Sequence, residues 1–385
     1  MPQTLIAEPT PMDQPPSPVG TEPPTPVGPE TDPLTVVVDI LKRHDITSAD
    51  DVTWKIYDQI MRGIEPLIGA GHVLRHFAYT HKAELQTETV ERLRKDYTVR
   101  LAYTEWGSPL LPTLLCVGGI ASAARRFDFL AQQLSRHYHV LCLDWAGRGR
   151  SGWLADQADY SFENHAAQIK GLIRHKRLSR VTLIGSSLGG CVAMRVAAEA
   201  PGLVDRLILN DTGPFIPTER RRRRAESVAR HYVFRDPGQM FHRSGASQKN
   251  DGPVDDAVLL HNSFHQTQWS NNDRGRIYRH DIRAMQRYRD EAINNHDQWD
   301  DWQRIDCPIL LVHGMLTDAM LESTLERMMA RPRVSVIHVP QAGHTPTLSD
   351  PIHIELLRRW MDSPDDWPKE MTTSWTPRPE RFLFR

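Results

Sequence analysis

Two adjacent serines in the stretch VTLIGSSLGGCVA, residues 181–193, have the surroundings that a nucleophile needs. A short apolar run typical of a strand precedes them, and a helix-forming run follows them. Gly185, Ser187 and Gly189 match the spacing G-x-S-x-G, in which a tight strand-to-helix turn presents the central hydroxyl. The spacing therefore predicts Ser187 as the nucleophile and Ser186 as a spacer. The alternative is a glycine-rich turn that carries two surface serines.

A serine hydroxyl is a poor nucleophile until a base takes its proton, and an acid must orient that base. Asp318 and His344 each follow a short apolar run, in the order acid and then histidine. This order predicts a triad of Ser187, Asp318 and His344. Asp211 is the alternative acid, because it follows the preceding apolar run directly; otherwise it would bond backbone amides.

Two backbone amides are predicted to bind the negative oxygen that forms when a serine attacks a carbonyl. The amide of Leu188 follows the nucleophile at the start of the next helix. The second donor should lie in the loop GGIASAARRF, residues 118–127, where Ile120 is the expected residue.

The elements that must position these residues form an alternating pattern. Most of the predicted strands are nearly continuous apolar runs separated by helical stretches, which indicates an α/β fold with a mostly parallel sheet covered on both faces. The predicted strands begin with YTVRLAYTEW (97–106), TLLCV (113–117), HVLCLD (139–144) and VTLIG (181–185), and continue with RLILN (206–210), PILLVH (308–313) and VSVIHV (334–339). Almost a hundred residues separate two of these strands, which favours an inserted helical lid after the sixth strand of the fold rather than a loop.

The chain divides by composition into five parts. Eleven prolines in the first 33 residues predict a disordered leader. The predicted parts are a leader (1–33), an N-terminal helical extension (34–95), an α/β core (96–214 and 303–362), a helical lid (215–302) and a C-terminal tail (363–385). The extra N-terminal helices are expected to pack on the core; a homo-oligomer contact or a protein partner through residues 1–95 is the alternative.

Composition excludes several classes of function. The chain has 47 basic and 48 acidic residues, which gives no indication of nucleic-acid or membrane binding. Its four cysteines are scattered along the chain, which is typical of reduced core thiols. No signal peptide or membrane span is evident, so we expect a cytoplasmic protein. No spacing of metal ligands is evident, and we predict neither a metal nor an organic cofactor.

With these residues assembled, the chain from about Tyr97 to Met361 resembles the α/β-hydrolase superfamily, in its branch of lidded bacterial serine hydrolases and esterases. DWAGRGRSGW, residues 144–153, resembles the D-x-x-G-x-G-x-S loop of lidded members, and HGMLTD and AGHTPTL resemble the acid and histidine loops. One departure is Gly118-Gly119, where many relatives have His-Gly. The resemblance implies hydrolysis of a small-molecule acyl substrate through an acyl-enzyme, without a cofactor.

Several functions are compatible with these residues. The first is hydrolysis of a carboxylic ester, lactone or thioester. A carbon–carbon bond hydrolase of the meta-cleavage-product type and an acyltransferase are variants of the same chemistry. A ligand receptor or interaction protein without catalytic activity is a different class, against which an intact triad argues.

Five consecutive arginines, Arg220 to Arg224, open the predicted lid. One interpretation is an anion site for a carboxylated, phosphorylated or CoA-linked substrate. The other, which we favour, is a solvated helix face, because consecutive residues on a helix point in all directions and at most two of them would face a pocket.

Overall fold

The computed structural model describes residues 32–81, 96–248 and 251–385. The predicted leader lies outside these ranges except for its last two residues, which begin the first helix, α1 (Pro33–Arg43). The Asp32 carboxylate accepts a hydrogen bond from the Leu34 amide at 3.4 Å and caps this helix. The predicted end of the leader is therefore slightly too late.

Helices and strands alternate through most of the described chain up to residue 214. The helices after α1 are α2 (Trp54–Ile68), α3 (Asp128–Leu134), α4 (Phe162–His175) and α5 (Leu188–Glu199). The strands are β1 (Val73–His81), β2 (Tyr97–Trp106), β3 (Thr113–Val117), β4 (His139–Leu143), β5 (Val181–Ser186) and β6 (Val204–Asn210). The predicted strands of this region are present.

The segment between β6 and the next long strand contains more than helices. Its helices are α6 (Thr218–Val228), α7 (Pro237–Gln248), α8 (Asp256–Gln266), α9 (Ile282–Glu291) and α10 (Trp299–Arg304). Short strands were missed by the prediction: β7 (Phe215–Ile216), β8 (Val233–Phe234), β9 (Thr267–Ser270), β10 (Gly275–Tyr278) and β11 (His296–Asp297). They form small antiparallel pairings inside this segment, which we call the insertion (residues 215–304).

The chain then returns to the main sheet. The elements of this last part are β12 (Ile309–Gly314), α11 (Glu322–Met329), β13 (Val334–Val339), α12 (Pro351–Asp362) and β14 (Glu370–Thr372). Among the described residues, nine strands form one sheet in the order β1-β2-β4-β3-β5-β6-β12-β13-β14. From β4 to β14 all neighbours are parallel, whereas β1 and β2 pair antiparallel. The predicted mostly parallel sheet is confirmed.

The predicted N-terminal extension, residues 34–95, is helical only in its first part. Strand β1 lies within it and pairs with β2 along its whole length, so the sheet begins before the predicted core. Helix α2 ends at Ile68 with Gly69 as its C-cap, and Gly71 has a φ of +95°, which suits the turn between α2 and β1. From Phe77 to His81 every second residue is buried, as in a strand with one covered face.

Helices cover both faces of the sheet because successive strand residues point to opposite sides. In β3, Leu115 and Val117 pack into one core cluster together with residues of α4 and α5. Leu114 and Cys116 pack into a second cluster together with residues of α3 and α12. Strands buried on both faces explain the continuous apolar runs in the sequence.

A third core cluster joins parts of the chain that are distant in sequence. Buried side chains of α1 and α2 pack against those of α7 and α8, with Tyr57 and Phe241 6.1 Å apart between ring centres. The ring of Phe384 lies 5.0 Å from that of Phe241, centre to centre, with the two ring planes tilted by 59°. The N-terminal helices were expected to pack on the α/β core; they contact α3 of the core, and they also pack on α7 and α8 of the insertion.

The C-terminal tail is also part of the fold. Strand β14 extends the sheet beyond the predicted core, and the Trp375 indole donates to the Pro340 carbonyl at 2.6 Å. The amide of Leu383 donates to the Asp256 carboxylate at 2.9 Å.

In the parts of the chain that the structure describes, no helix has the length and apolarity that crossing a membrane requires.

A buried polar cluster connects α2, α3 and α8. Glu65 of α2 lies 2.8 Å from both His261 and His265 of α8, and His261 lies 3.1 Å from Asp128 of α3. Burial opposes the positive charge on His261, but Asp128 and Glu65 outweigh it and raise its pKa. Burial likewise disfavours the Glu65 carboxylate, yet hydrogen bonds from the two histidines hold its pKa well below its usual range. Glu65 therefore stabilises a positive charge on the buried His261.

We expect Glu65→Gln to lower the free energy of unfolding by about 3 kcal/mol, because it removes one of the two carboxylates that stabilise the buried charge of His261. Urea unfolding at pH 7 measures this change. The pKa of Glu65 is lower in the folded protein than its unfolded value of 4.5, so its carboxylate stabilises the fold above pH 4.5. The difference in unfolding free energy between the variant and wild type should therefore become smaller as the pH falls below that value. Glu322→Gln, at an exposed position of α11, is the matched control. Equal stabilities of the two variants at pH 7 would contradict the assignment.

Candidate active site

Ser187 lies at a sharp turn between β5 and α5. Its backbone has φ 53° and ψ −120°, a conformation that non-glycine residues rarely adopt. A Cβ at Gly185 would lie 2.5 Å from the Gly189 carbonyl oxygen, and one at Gly189 would lie 2.3 Å from that of Val117. These contacts explain why the turn needs glycine on both sides of the serine.

The two adjacent serines face different surroundings. The Ser187 hydroxyl donates to His344 Nε2 at 2.8 Å and lines a cavity. The Ser186 hydroxyl is buried and accepts a hydrogen bond from Asn210 Nδ2 at 3.0 Å. Ser187 is therefore the serine with a base beside it, and Ser186 is the spacer.

Asp211 is the carboxylate that contacts the histidine. His344 lies in the loop after β13, and its Nδ1 donates to Asp211 Oδ2 at 2.8 Å. Asp211 follows β6 and is fully buried. Its other donors are the Gly314 amide at 3.1 Å and the Thr317 hydroxyl at 2.5 Å. The carboxyl ends of neighbouring strands thus converge on one carboxylate.

Our preference for Asp318 as the triad acid is wrong, and Asp211, the alternative acid, occupies that position. The Asp318 side chain is about half exposed and lies 3.3 Å from each of Arg220 and Arg223 on α6. The preceding residue, Thr317, turns inward to Asp211 and also accepts a hydrogen bond from the Ala319 amide. This turn directs Asp318 away from His344 and towards α6, where Arg220 and Arg223 bind it in the lining of the same cavity.

The amides predicted to bind an oxyanion lie around Ser187. Leu188 is the first residue of α5, so its amide has no partner within the helix. Ile120 lines the cavity, and its carbonyl accepts a hydrogen bond from Arg148 Nε at 3.0 Å. The buried Arg148 side chain thereby holds the carbonyl of Ile120, while the Ile120 amide donates to no other group among the described residues.

A buried aspartate fixes the loop that carries Ile120. Asp144 accepts hydrogen bonds from the Ala124 amide at 2.6 Å and the Arg150 amide at 2.9 Å. A Cβ at Gly149, which has a φ of +54°, would lie 2.1 Å from Asp144 Oδ1. Burial raises the pKa of Asp144 to about 6, against the effect of these two amides. The D-x-x-G-x-G-x-S stretch therefore positions the loop beside Ser187.

The hydroxyl of Ser187 opens into a cavity of about 370 Å³. Ser187, His344 and Ile120 line its base, and residues of the insertion line its other side, including Arg224, Tyr278 and His280. This volume is in the range of small-molecule sites. The residues that the sequence left unassigned in the insertion, Tyr278 and His280, are therefore cavity residues.

The polar cluster of Glu65, His261 and His265 has residue types that ligate metals, and their ligand atoms lie within 4.8 Å of one another. The sequence analysis missed it, although the spacing of His261 and His265 places both on one helix face. The Arg125 guanidinium lies 3.2 Å from Glu65 and opposes a cation there. Since the three side chains already contact one another, we assign the cluster a structural role.

Comparison with known proteins identifies the family to which the chain belongs. Residues 112–351 match the model of a family described as the alpha/beta hydrolase fold. A 3-hydroxybutyrate-oligomer hydrolase from Cupriavidus necator is 31% identical over 266 residues, which cover 67% of this chain and 91% of the relative. The identity extends over most of that relative, so the similarity is not confined to the residues around the serine.

Solved structures show the same architecture. An alpha/beta hydrolase from Novosphingobium aromaticivorans has a TM-score of 0.63 at 22% identity and covers 76% of this chain and 99% of its own. A structure of E-2-(acetamidomethylene)succinate hydrolase has a TM-score of 0.60 at 25% identity, and covers 69% of this chain and 96% of its own. The predicted fold is therefore confirmed.

We expect Asp211→Asn to slow hydrolysis of 4-nitrophenyl butyrate by roughly 10⁴-fold, because the NH2 group of an asparagine can donate to His344 Nδ1 and so favours the tautomer whose Nε2 cannot take the proton of Ser187. Asp318→Asn should change the rate by less than about tenfold. Steady-state rates of the two variants measure the contrast, with near-UV circular dichroism as a check of folding. An inactive Asp318→Asn beside an active Asp211→Asn would contradict the structure-based choice.

Proposed function

We propose that this chain, which belongs to the α/β-hydrolase fold family, is a serine hydrolase that cleaves a carboxylic ester through an acyl-enzyme. The observation that carries the proposal is the pair of 2.8 Å hydrogen bonds that joins Ser187, His344 and Asp211 beside a cavity. A nucleophile, a base and an orienting acid in hydrogen-bond contact are the parts that acyl transfer needs.

The first half of the proposed reaction forms the acyl-enzyme. Ser187 Oγ attacks the ester carbonyl while His344 Nε2 takes its proton, and Asp211 stabilises the imidazolium that results. The amides of Leu188 and Ile120 bind the oxyanion, and each such donor contributes about 10²–10³ in rate. His344 then returns the proton to the alcohol as the bond between carbonyl carbon and alcohol oxygen breaks.

The second half of the proposed reaction frees the enzyme. Water enters from the cavity, His344 removes its proton, and the resulting hydroxide attacks the acyl carbon. The proton returns to Ser187 as the acid leaves. This cycle uses side chains and backbone amides of the chain itself and consumes one water for each ester bond.

Two relatives suggest the substrate class. One is named for 3-hydroxybutyrate oligomers, which are chains of ester bonds between hydroxy acids that end in a carboxylate, and the other for a substituted succinate. We propose a short aliphatic oligoester of a hydroxy acid as the substrate, in preference to a lactone or thioester. The cavity volume of about 370 Å³ suits a molecule of that size.

We also propose that the insertion acts as the lid of the site. Residues of α6, α7 and β10 line the cavity opposite the nucleophile, so a substrate would pass between them and the sheet. Enclosure of this kind excludes water and strengthens the electrostatic interactions of the reacting groups.

We expect Ser187→Ala to lower hydrolysis of the linear 3-hydroxybutyrate dimer by roughly 10⁵- to 10⁶-fold, because the nucleophile is removed. Ser186→Ala is the matched control and should keep the rate within about tenfold. Release of monomer, measured by chromatography, gives both rates.

The same two variants should differ in labelling by a fluorophosphonate probe, which reports the nucleophile without any assumption about the substrate. Wild type and Ser186→Ala should be labelled, and Ser187→Ala should not. Labelling of Ser187→Ala at the wild-type rate would refute the nucleophile. If wild type is labelled but does not hydrolyse the dimer, the proposal of a serine hydrolase would remain supported and the proposal of an oligoester substrate would be refuted.

A further inference from the structure

Three arginines of α6 line the cavity that contains Ser187. Arg220, Arg223 and Arg224 have the spacing i, i+3, i+4, which places them on one face of the helix. Arg222 is exposed and does not line the cavity. The expectation that at most two of these arginines would face a pocket is therefore wrong, because these three positions share one face of the helix and that face borders the cavity.

The whole cavity carries an excess of positive charge. Five arginines and two aspartates line it, which leaves a formal excess of three positive charges. His280 adds no charge at neutral pH, since burial, followed by the charge of Arg148, lowers its pKa to about 4. A cavity of this charge favours an anionic ligand.

Arg224 differs from the other cavity arginines in its contacts. Arg220 and Arg223 pair with Asp318 at 3.3 Å each, Arg126 pairs with Asp251 at 2.9 Å, and Arg243 donates to the Ser227 hydroxyl at 3.2 Å. Within the described ranges of the chain, Arg224 has neither a hydrogen bond nor an ion pair. Its guanidinium therefore presents unused donors on the wall of the cavity.

The charge of Arg224 is also poorly stabilised. Burial, and after it the nearby charge of Arg220, lower the pKa of Arg224. A bound anion would offset both effects. Guanidinium groups bind carboxylates through two parallel hydrogen bonds, which makes a carboxylate the matching ligand for one free arginine.

We infer that Arg224 binds a carboxylate of the substrate and so selects anionic esters over neutral ones. This inference rests on the proposed function, because it takes Ser187 as the nucleophile in the same cavity. Arg220 and Arg223 strengthen the positive potential, while Asp318 limits it by pairing with both. The selected class is an ester that carries a free carboxylate beside its scissile bond, as the end of a hydroxy-acid oligomer does.

The test compares two substrates that differ only in charge: the linear 3-hydroxybutyrate dimer and its terminal primary amide. We expect wild type to have a kcat/KM at least tenfold higher for the acid than for the amide. Arg224→Gln should lower this acid-to-amide ratio by about 10- to 100-fold, as expected for the loss of hydrogen bonds between charged groups. Arg224→Lys, which keeps the charge without the planar fork, should give an intermediate ratio.

Arg222→Gln is the matched control, since it removes an arginine from the exposed face of the same helix, and its ratio should equal that of wild type. An unchanged ratio in Arg224→Gln, or equal hydrolysis of acid and amide by wild type, would overturn the inference. If a fluorophosphonate labels the enzyme but neither dimer is hydrolysed, the inference would also be overturned, although the proposal of a serine hydrolase would remain supported. Lack of labelling of wild type would instead refute the proposed function.

Calorimetric binding to Ser187→Ala gives a readout that does not depend on turnover. The acid dimer should bind at least tenfold more tightly than the amide dimer, and Arg224→Gln in the same background should remove that difference. Equal affinities of Ser187→Ala for the two dimers would contradict the role of Arg224.

Discussion

The buried carboxylate of Asp211 is the constraint on which the geometry around Ser187 depends. A carboxylate with no solvent exposure must have its charge satisfied by nearby donors, and here these come from the loops after β12 and β13. The donors Gly314, Thr317 and His344 are therefore fixed relative to one another. Because His344 in turn contacts Ser187, one buried charge aligns three strand ends.

A second constraint is the close approach of backbones on either side of Ser187. The glycines around Ser187 let α5 pass against β3, and Gly119 comes so near that a Cβ there would lie 3.4 Å from the Ser187 Cβ. The loop that contains Gly119 is held from the other side by Asp144 and Arg148. The sheet thus holds Ser187 and His344 in place, whereas the insertion provides the charged wall of the cavity.

Much of this could be predicted from local sequence. The apolar runs predicted the strands because both faces of the sheet are buried. The glycines on either side of Ser187 predicted the tight turn there. The choice of acid could not be predicted in this way, since Asp211 and Asp318 both follow a strand. What separates them is a threonine that turns inward beside Asp318 and two arginines about a hundred residues away in sequence, and such contacts are visible only in three dimensions. Strand β1 was missed because its alternation begins only at Phe77, after an exposed start that continues a helical pattern.

The hydrogen bond between His344 and Asp211 is tested most directly by proton NMR of the imidazole, in the low-field region where a proton shared with a carboxylate resonates. Wild type and Asp318→Asn should both show a low-field resonance that is absent from Asp211→Asn and from a His344→Gln control. A resonance that persists in Asp211→Asn and is lost in Asp318→Asn would contradict the central role of Asp211.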